Sequence, residues 1–324
     1  MWEKVWILLS VFLVVCVPIK SLPAKEYPAR PIEIISSYTA GSSMDLMARL
    51  VADIAPKYLG QPVVVVNKPG ASGALGAAEI ITSKPDGYKL LTGSTVFLTI
   101  VLKAQKIPFD PHDLVPIASF MEYKMGLAVK GSSPWKTLAE LLDYASKNPG
   151  KLSWCHPGRG TSIQINGLLL FRKAGVQTIE VPYKGSPEMV AALLGGHVDA
   201  TTIVYGAAKD HVKSGAMRYL TFFSDRRYSD PSDVPCATEL GFPEASKLPT
   251  IVGMLGHKNI PPEIRKTLFN AFKKTFEDPA FKKGIERLGE EPRFEEVEFL
   301  NEAIKKSEEV GTPILKELGL YVGK

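Results

Sequence analysis

Short apolar, β-branched runs alternate along this chain with stretches whose apolar residues recur at helical spacing. Ile32 to Ile35 forms the first run, and a helix follows over 44–58, with Leu46, Leu50 and Ile54, beside Met47 and Val51, on one side. Gly60 and Pro62 close that helix. The run 63–66 leads through Asn67-Lys68-Pro69-Gly70-Ala71-Ser72-Gly73 into a helix over 74–83, and after the turn Pro85-Asp86-Gly87 a strand is predicted over 88–92. A second round begins after Gly126, with strands over 127–130, 151–155, 178–181, 199–204 and 218–224. Its helices span 138–146, 162–174 and 188–194. Ser133-Pro134 reads as the start of the first of these, and Ser186 as N-cap with Pro187 at N1 as the start of the last. From Pro261 onward the chain is charged and helical, divided by Asp278-Pro279 and by Gly289 to Pro292, and packs on a body already built. Strand–helix alternation of this kind implies a mainly parallel sheet with right-handed crossovers, in which ligands sit beyond the strand C-termini.

Those ends carry loops rich in small and hydroxyl residues. Tyr38-Thr39-Ala40-Gly41-Ser42-Ser43-Met44-Asp45 stands where the first strand hands over to the first helix. A helix N-terminus offers N–H groups without intrahelical acceptors and the positive end of the helix dipole, which together seat an anion. Taken alone, the loop reads equally as a plain serine cap with an acid in the first turn. Similar loops recur at Pro157-Gly158-Arg159-Gly160-Thr161-Ser162 and at Pro182-Tyr183-Lys184-Gly185-Ser186-Pro187, and this repetition favours the anion seat.

At 324 residues the chain is long enough for two domains, at roughly 150 residues each. Its net charge of +5 is spread and interleaved with acids, which argues against nucleic acid as a partner. Residues 5–17 form an almost unbroken apolar run of 13 residues after Lys4. That is the length of a signal-peptide core and short of the roughly 20 residues a spanning helix needs. Export to the periplasm is expected, with cleavage near Ala24 ahead of a retained anchor or lipidation at Cys16. Cleavage leaves Cys155 and Cys236, far apart in sequence and expected as free thiols, although one bridge stays open. The five histidines show no metal-binding spacing, so neither a metal nor a cofactor is expected.

Several blocks then match one family in order. Tyr27-Pro28-Ala29-Arg30-Pro31-Ile32, the loop Ala40 to Asp45, Leu59 to Gly73, Pro85-Asp86-Gly87-Tyr88, Pro157-Gly158 with Gly160-Thr161, and Val181 to Gly185 belong to the series. Leu194-Gly195-Gly196-His197-Val198-Asp199 and Asp233-Val234-Pro235 continue it. The chain resembles the solute-binding proteins of tripartite tricarboxylate transporters, the Bug family. This resemblance implies an α/β, two-lobed type II periplasmic-binding-protein fold, each lobe a mixed, mainly parallel sheet flanked by helices. It places lobe 1 at 27–126 plus 253–324 and lobe 2 at 127–252, with hinges near 126–130 and 251–256. It also implies a monomeric receptor that holds a small carboxylate between its lobes and passes it to a permease of one large and one small membrane subunit.

Carried over residue by residue, the resemblance places ligand contacts at Tyr38, Ala40, Ser42, Ser43 and Asp45, with Ala71 and Ser72 from the second loop. Asp45 is expected to order its loop, since it would repel an anion. Gly158, Thr161 and Ser162 are the second-lobe contacts. Tyr183 reads equally as a core ring and Asp199 as a turn residue. Arg159 either pairs a second solute carboxylate or faces solvent. Ser42 stands where the family usually has a glycine, and Trp154-Cys155-His156 replaces smaller residues. A sensory module of the same fold, reporting to a signalling partner, stays open as an alternative. An enzyme is not expected: no GxSxG occurs, the histidines lie outside the glycine-rich loops, and Gly70-x-x-Gly73-x-x-Gly76 lacks the GxG opening of a dinucleotide site.

Overall fold

The computed structural model describes residues 27–322 apart from residue 229. The apolar run at 5–17, Cys16 and the expected cleavage near Ala24 lie outside the described residues. Among the described residues, no helix is long and apolar enough to cross a membrane.

Two sheets organise the chain. In the first, β1 (Ile32–Ser36) lies between β2 (Val63–Asn67) and β3 (Lys89–Ser94), parallel to both. β10 (Ile251–His257) joins β3 antiparallel, β4 (Leu114–Glu122) follows antiparallel, and the short β11 (Glu291–Pro292) ends the sheet. In the second, β7 (Ile179–Pro182), β6 (Ser153–His156) and β8 (Ala200–Val204) run parallel, and β5 (Met125–Lys130) and β9 (Met217–Phe222) complete it antiparallel. Helices flank both sheets. This is the mixed α/β, two-lobed architecture expected.

The sheets also fix where the chain crosses between lobes. All of β5 is paired in the second sheet, so the first crossing is Tyr123-Lys124, ahead of the expected 126–130. The stretch 251–256 is no crossing: it is the body of β10, inside the first sheet, and the return falls before Ile251. Two strands escaped the periodicity. β4 is buried on both faces and so lacks alternation, and its Pro116 sits toward an edge where β11 pairs only with Met121 and Glu122. β10 contains Gly253, where a Cβ would lie 1.9 Å from the Ala118 carbonyl oxygen, so no side chain is admitted there.

Two helix starts differ from expectation. α4 (Leu138–Lys147) begins at a capping box made by Thr137 and Glu140, leaving Ser133-Pro134 outside. α6 (Ser186–Leu194) takes Gly185 as its N-cap, which makes Ser186 the first helical residue and frees its hydroxyl from capping. The C-terminal helices α8 (Pro262–Glu277) and α9 (Pro279–Leu288) pack on the first sheet, with Phe272 and Phe281 5.6 and 5.3 Å from Phe120 between ring centres. The last helix, α10 (Val297–Glu317), reaches further. Its Leu315 shares a cluster with Val96 and Ile100 of the first lobe and with Ile165 of the second. Cys155 and Cys236 are buried free thiols.

Candidate functional site

Three helix N-termini converge on one cleft between the sheets. α1 (Ser43–Ile54) follows β1, α5 (Ser162–Lys173) follows β6, and α6 follows β7, so each start lies beyond a strand C-terminus. The cleft encloses about 560 Å3 counting its mouth, of which only about 50 Å3 admits the centre of a water molecule; the walls are nearly in contact. Ser42, Ser43, Thr161, Ser162 and Ser186 line it with hydroxyls, and Tyr38 and Tyr123 with phenols. No Asp, Glu, Lys, Arg or His is among its lining residues. A larger, more open groove of about 860 Å3 counting its mouth lies elsewhere, on the outer side of the first sheet around Val64, Val66 and the first residues of β1 and β3, away from the three helix starts.

Local sequence sets each wall. Ser42 caps α1, its Oγ accepting from the Asp45 amide at 3.3 Å. The Asp45 carboxylate in turn accepts from the Gly41 amide at 2.9 Å, from Arg49 Nε at 3.0 Å and from Asn67 Nδ2 at 2.6 Å. Burial works to raise its pKa, but those donors outweigh it and hold the carboxyl below its ordinary value. Asp45 is therefore committed to the loop and does not line the cleft. A carboxyl depressed in the fold contributes stability that is complete above the ordinary carboxylate range and is lost as pH falls through the folded value. Asp45→Asn is expected to lower stability by about 1.5–3 kcal/mol at pH 7, the scale of a charge-assisted hydrogen bond. Urea unfolding at pH 7 and below pH 4 measures it; the gap to wild type narrows at the acidic end.

Across the cleft, Thr161 caps α5. Its Oγ1 accepts from the Gln164 amide and donates to the Gly158 carbonyl at 2.9 Å. Gly160 has a φ of +76°, and a Cβ there would meet Ala104 at 2.1 Å, so the loop lies against the first lobe only because that residue is glycine. Ser162 Oγ lies 2.9 Å from Thr250 Oγ1, which ties α5 to the returning chain. The remaining wall is apolar: Val96, Phe97 and Val101 come from an irregular segment that includes the π-helix Phe97–Val101, opposite Ile163.

Of the expected contacts, Tyr38, Ser42, Ser43, Thr161 and Ser162 line the cleft. Ser72 stands at its rim and bridges the lobes, its Oγ donating to the Arg159 carbonyl at 3.2 Å. Gly158 lies under that contact, and a Cβ there would approach Ser72 Oγ to 2.5 Å. Ala40 and Ala71 are exposed outside the lining. The Arg159 side chain turns outward to the Gly319 carbonyl at 3.3 Å, so it does not meet a second carboxylate in this arrangement. Tyr183 packs against the second lobe's core. Asp199 sits at the N-terminal end of β8, accepting from the Ser153 amide and hydroxyl at 2.8 and 2.7 Å, at the far end of the sheet from the cleft. The expectation had missed Ser94, Tyr123, Ser186 and Thr250. Ser94 ends β3, so the strand-end rule that found Ser42 would have found it. Tyr123 and Thr250 carry no local signal, because they sit where the chain crosses between lobes. Among the described residues no group of three His, Cys, Asp or Glu is placed to hold a metal.

Comparison with known proteins supplies the context. The model of the tripartite tricarboxylate transporter family receptor matches residues 47–320. A UPF0065 protein encoded in the gbd 5′ region of Cupriavidus necator is 36% identical over 302 residues, covering 92% of this chain and 90% of its own. Protein BugT of Bordetella pertussis is 34% identical over 224 residues, 68% of this chain and 69% of its own. Among solved structures, the periplasmic binding protein BugD superposes with a TM-score of 0.84 at 27% identity, covering 91% of this chain and 99% of that one. MatC from Rhodopseudomonas palustris, with bound malate, gives 0.80 at 25% identity over 88% and 100%. The family model spans the second sheet, the first sheet apart from β1, and the loops that start α5 and α6, and the chain belongs to the tripartite tricarboxylate transporter receptor family.

Proposed function

We propose that this protein is a periplasmic receptor that closes on a small carboxylate and delivers it to a permease of one large and one small membrane subunit, without catalysing a reaction on it. One observation carries the reading: three helix N-termini, from both lobes, face a cleft that no charged side chain lines. The first-turn amides of Ser43, Met44, Ser162, Ile163 and Ser186 have no acceptor within their own helices. Each helix start carries roughly half a positive charge. An anion gains from these groups in every direction, whereas a cation would meet only hydroxyl and phenol oxygens. Charge-assisted hydrogen bonds contribute about 1.5–3 kcal/mol each. Four of them suffice for micromolar binding, about −8 kcal/mol, after the cost of ordering is met. MatC's bound malate belongs to a protein of the same architecture and supports the same class of solute.

Closure is the signal that delivery needs. Contacts such as Ser72 to the Arg159 carbonyl and Gln105 Nε2 to the same oxygen at 2.8 Å exist only when the lobes meet. A solute gripped from both sides stabilises that state over the open one. The test is a thermal-shift and calorimetry screen of the folded chain against mono-, di- and tricarboxylates, malate and adipate included. A ligand at about 100 times its Kd should add about 2.7 kcal/mol of stability. The reading fails if no carboxylate raises the melting temperature. Delivery is tested separately, by uptake of the labelled solute in a strain lacking the protein.

A further inference from the structure

We propose that carboxylate capture is coupled to uptake of one proton at Glu290, a buried acid directly behind the cleft; the inference rests on the receptor reading above. Glu290 follows Gly289 at the end of α9 and is 1% exposed. Its two oxygens serve different parts of the molecule. Oε2 accepts from the amide of Lys124, in the crossing between lobes, at 3.0 Å. Oε1 accepts from the amide of Gly206 at 3.1 Å, and Gly206 is the second residue of α7 (Tyr205–Lys213) in the second lobe. The N-cap of α7 is Val204, which has no oxygen to offer, so a carboxylate from the other lobe caps this helix. The fit is close: a Cβ on Gly206 would lie 2.4 Å from Oε1.

The same carboxylate stands against the anion site. Ser43, Tyr123 and Val204 line the cleft, and Glu290 stands behind that wall: the Ser43 hydroxyl favours its charged form, Tyr123 feels its charge and precedes the Lys124 amide it accepts from, and Val204 precedes the helix it caps. Among the described residues nothing cationic bonds to its oxygens. The Lys124 ammonium turns instead to Glu291 Oε2 at 3.2 Å and the Asp230 carbonyl at 3.3 Å, over the Tyr228 ring. Arg293 is held by Glu122 and Glu295, and Lys209 reaches the Glu286 carbonyl. The phenols that face the acid, Tyr123, Tyr219 and Tyr228, are themselves held neutral by burial. A second anion in the cleft thus faces a buried negative charge on the far side of Ser43 and Tyr123. A proton on Glu290 relieves that repulsion. Burial already pushes its carboxyl up to about 7, against the donors and Lys124, so the proton is available near neutral pH.

The sign follows from linkage. Solute binding raises the pKa of Glu290, so the bound state holds more protons and affinity rises as pH falls. Malate is the probe, since both its carboxyls stay ionised over the range. Between pH 8 and pH 6 the malate Kd of wild type is expected to fall at least about threefold, and by no more than about tenfold, the limit for one carboxyl that titrates in the free protein near the middle of that range. Calorimetry in two buffers of different ionisation enthalpy should register between about a quarter and about half a proton taken up per malate near pH 7. In Glu290→Gln, which cannot titrate, the pH dependence of Kd should vanish. His156, buried behind Gly158 with Nε2 3.6 Å from Glu180, is the other titratable group beside the loops, and a slope retained in Glu290→Gln would assign the proton there and overturn the proposal. A wild-type Kd independent of pH, or equal heats in both buffers after correction, would overturn it while leaving the receptor reading intact. Proton counting uses wild type alone, so it decides even if the variant fails to fold. No binding of malate at any pH overturns the proposal for this solute class, and the carboxylate screen then decides the receptor reading on its own.

Discussion

Replacing Ser43 with leucine is expected to weaken carboxylate binding at least a hundredfold, which corresponds to about 2.7 kcal/mol. Ser43 is the first residue of α1, is 2% exposed, and lines a cleft with room for little more than water. A leucine there displaces the solute from the first-turn amides and holds the second wall away, so affinity is lost from both sides at once. The cost to the fold is smaller, about 1–3 kcal/mol for overpacking at one position. Calorimetry with the best acid from the screen measures the affinity, and urea unfolding measures the stability. Unchanged affinity would place the pocket elsewhere. A fold loss larger than the binding loss would make Ser43 a packing residue first. Ser186→Leu on the facing wall is the companion variant, since that hydroxyl does no capping.

Phe120→Ala is expected to cost about 3–5 kcal/mol, the largest stability effect of any single substitution considered for this chain. Phe120 lies in β4 with no exposed surface, and its ring meets those of Phe272, Phe281 and Phe294 at 5.6, 5.3 and 6.5 Å. Three separate segments of the C-terminal region are pinned to the first sheet through this one side chain. Truncation leaves a cavity that none of them can fill without moving the others. The loss should show in the urea midpoint of the first lobe, with the second lobe's transition little changed. Carboxylate affinity at low denaturant should stay within a factor of a few, because the ring touches none of the three helix starts. A cost under 1 kcal/mol would mean that the C-terminal helices are held mainly by α10.

Much of this arrangement was readable before folding was considered. Apolar, β-branched runs and helical spacing located β1, α1, β2, the helix Ala74–Thr82 and most of the second lobe, because each packs against its own neighbours in sequence. Serine and threonine at strand-to-helix junctions pointed to α1 and α5 as walls of a site. The resemblance to the Bug family added the two-lobed frame. Where local rules competed, the reading slipped. Ser186 before a proline looks like an N-cap, yet the extended Gly185, whose Cβ position would lie 2.4 Å from Thr39 Oγ1 of the facing lobe, takes that role. Arg159 within a glycine-rich loop looks like an anion ligand, yet the Gly319 carbonyl at the end of α10 captures it. Asp199 falls in a family motif and sits at the opposite end of its strand from the cleft.

The chain's own pattern determined most of the strands and helices, β4 and β10 excepted, and that hydroxyl-bearing loops stand at the strand ends. It also determined that the loops facing the cleft are made of backbone and small polar groups, because capping chemistry is local and spans three or four residues. Tertiary structure alone decided which loops face each other, where the chain crosses between lobes, and that Tyr123 and Thr250 belong to the cleft. It alone set Glu290, from the end of α9, against a helix start 84 residues earlier in the chain. These are contacts between segments remote in sequence, and they are chosen by the packing of two whole sheets. No window of neighbouring residues contains that choice.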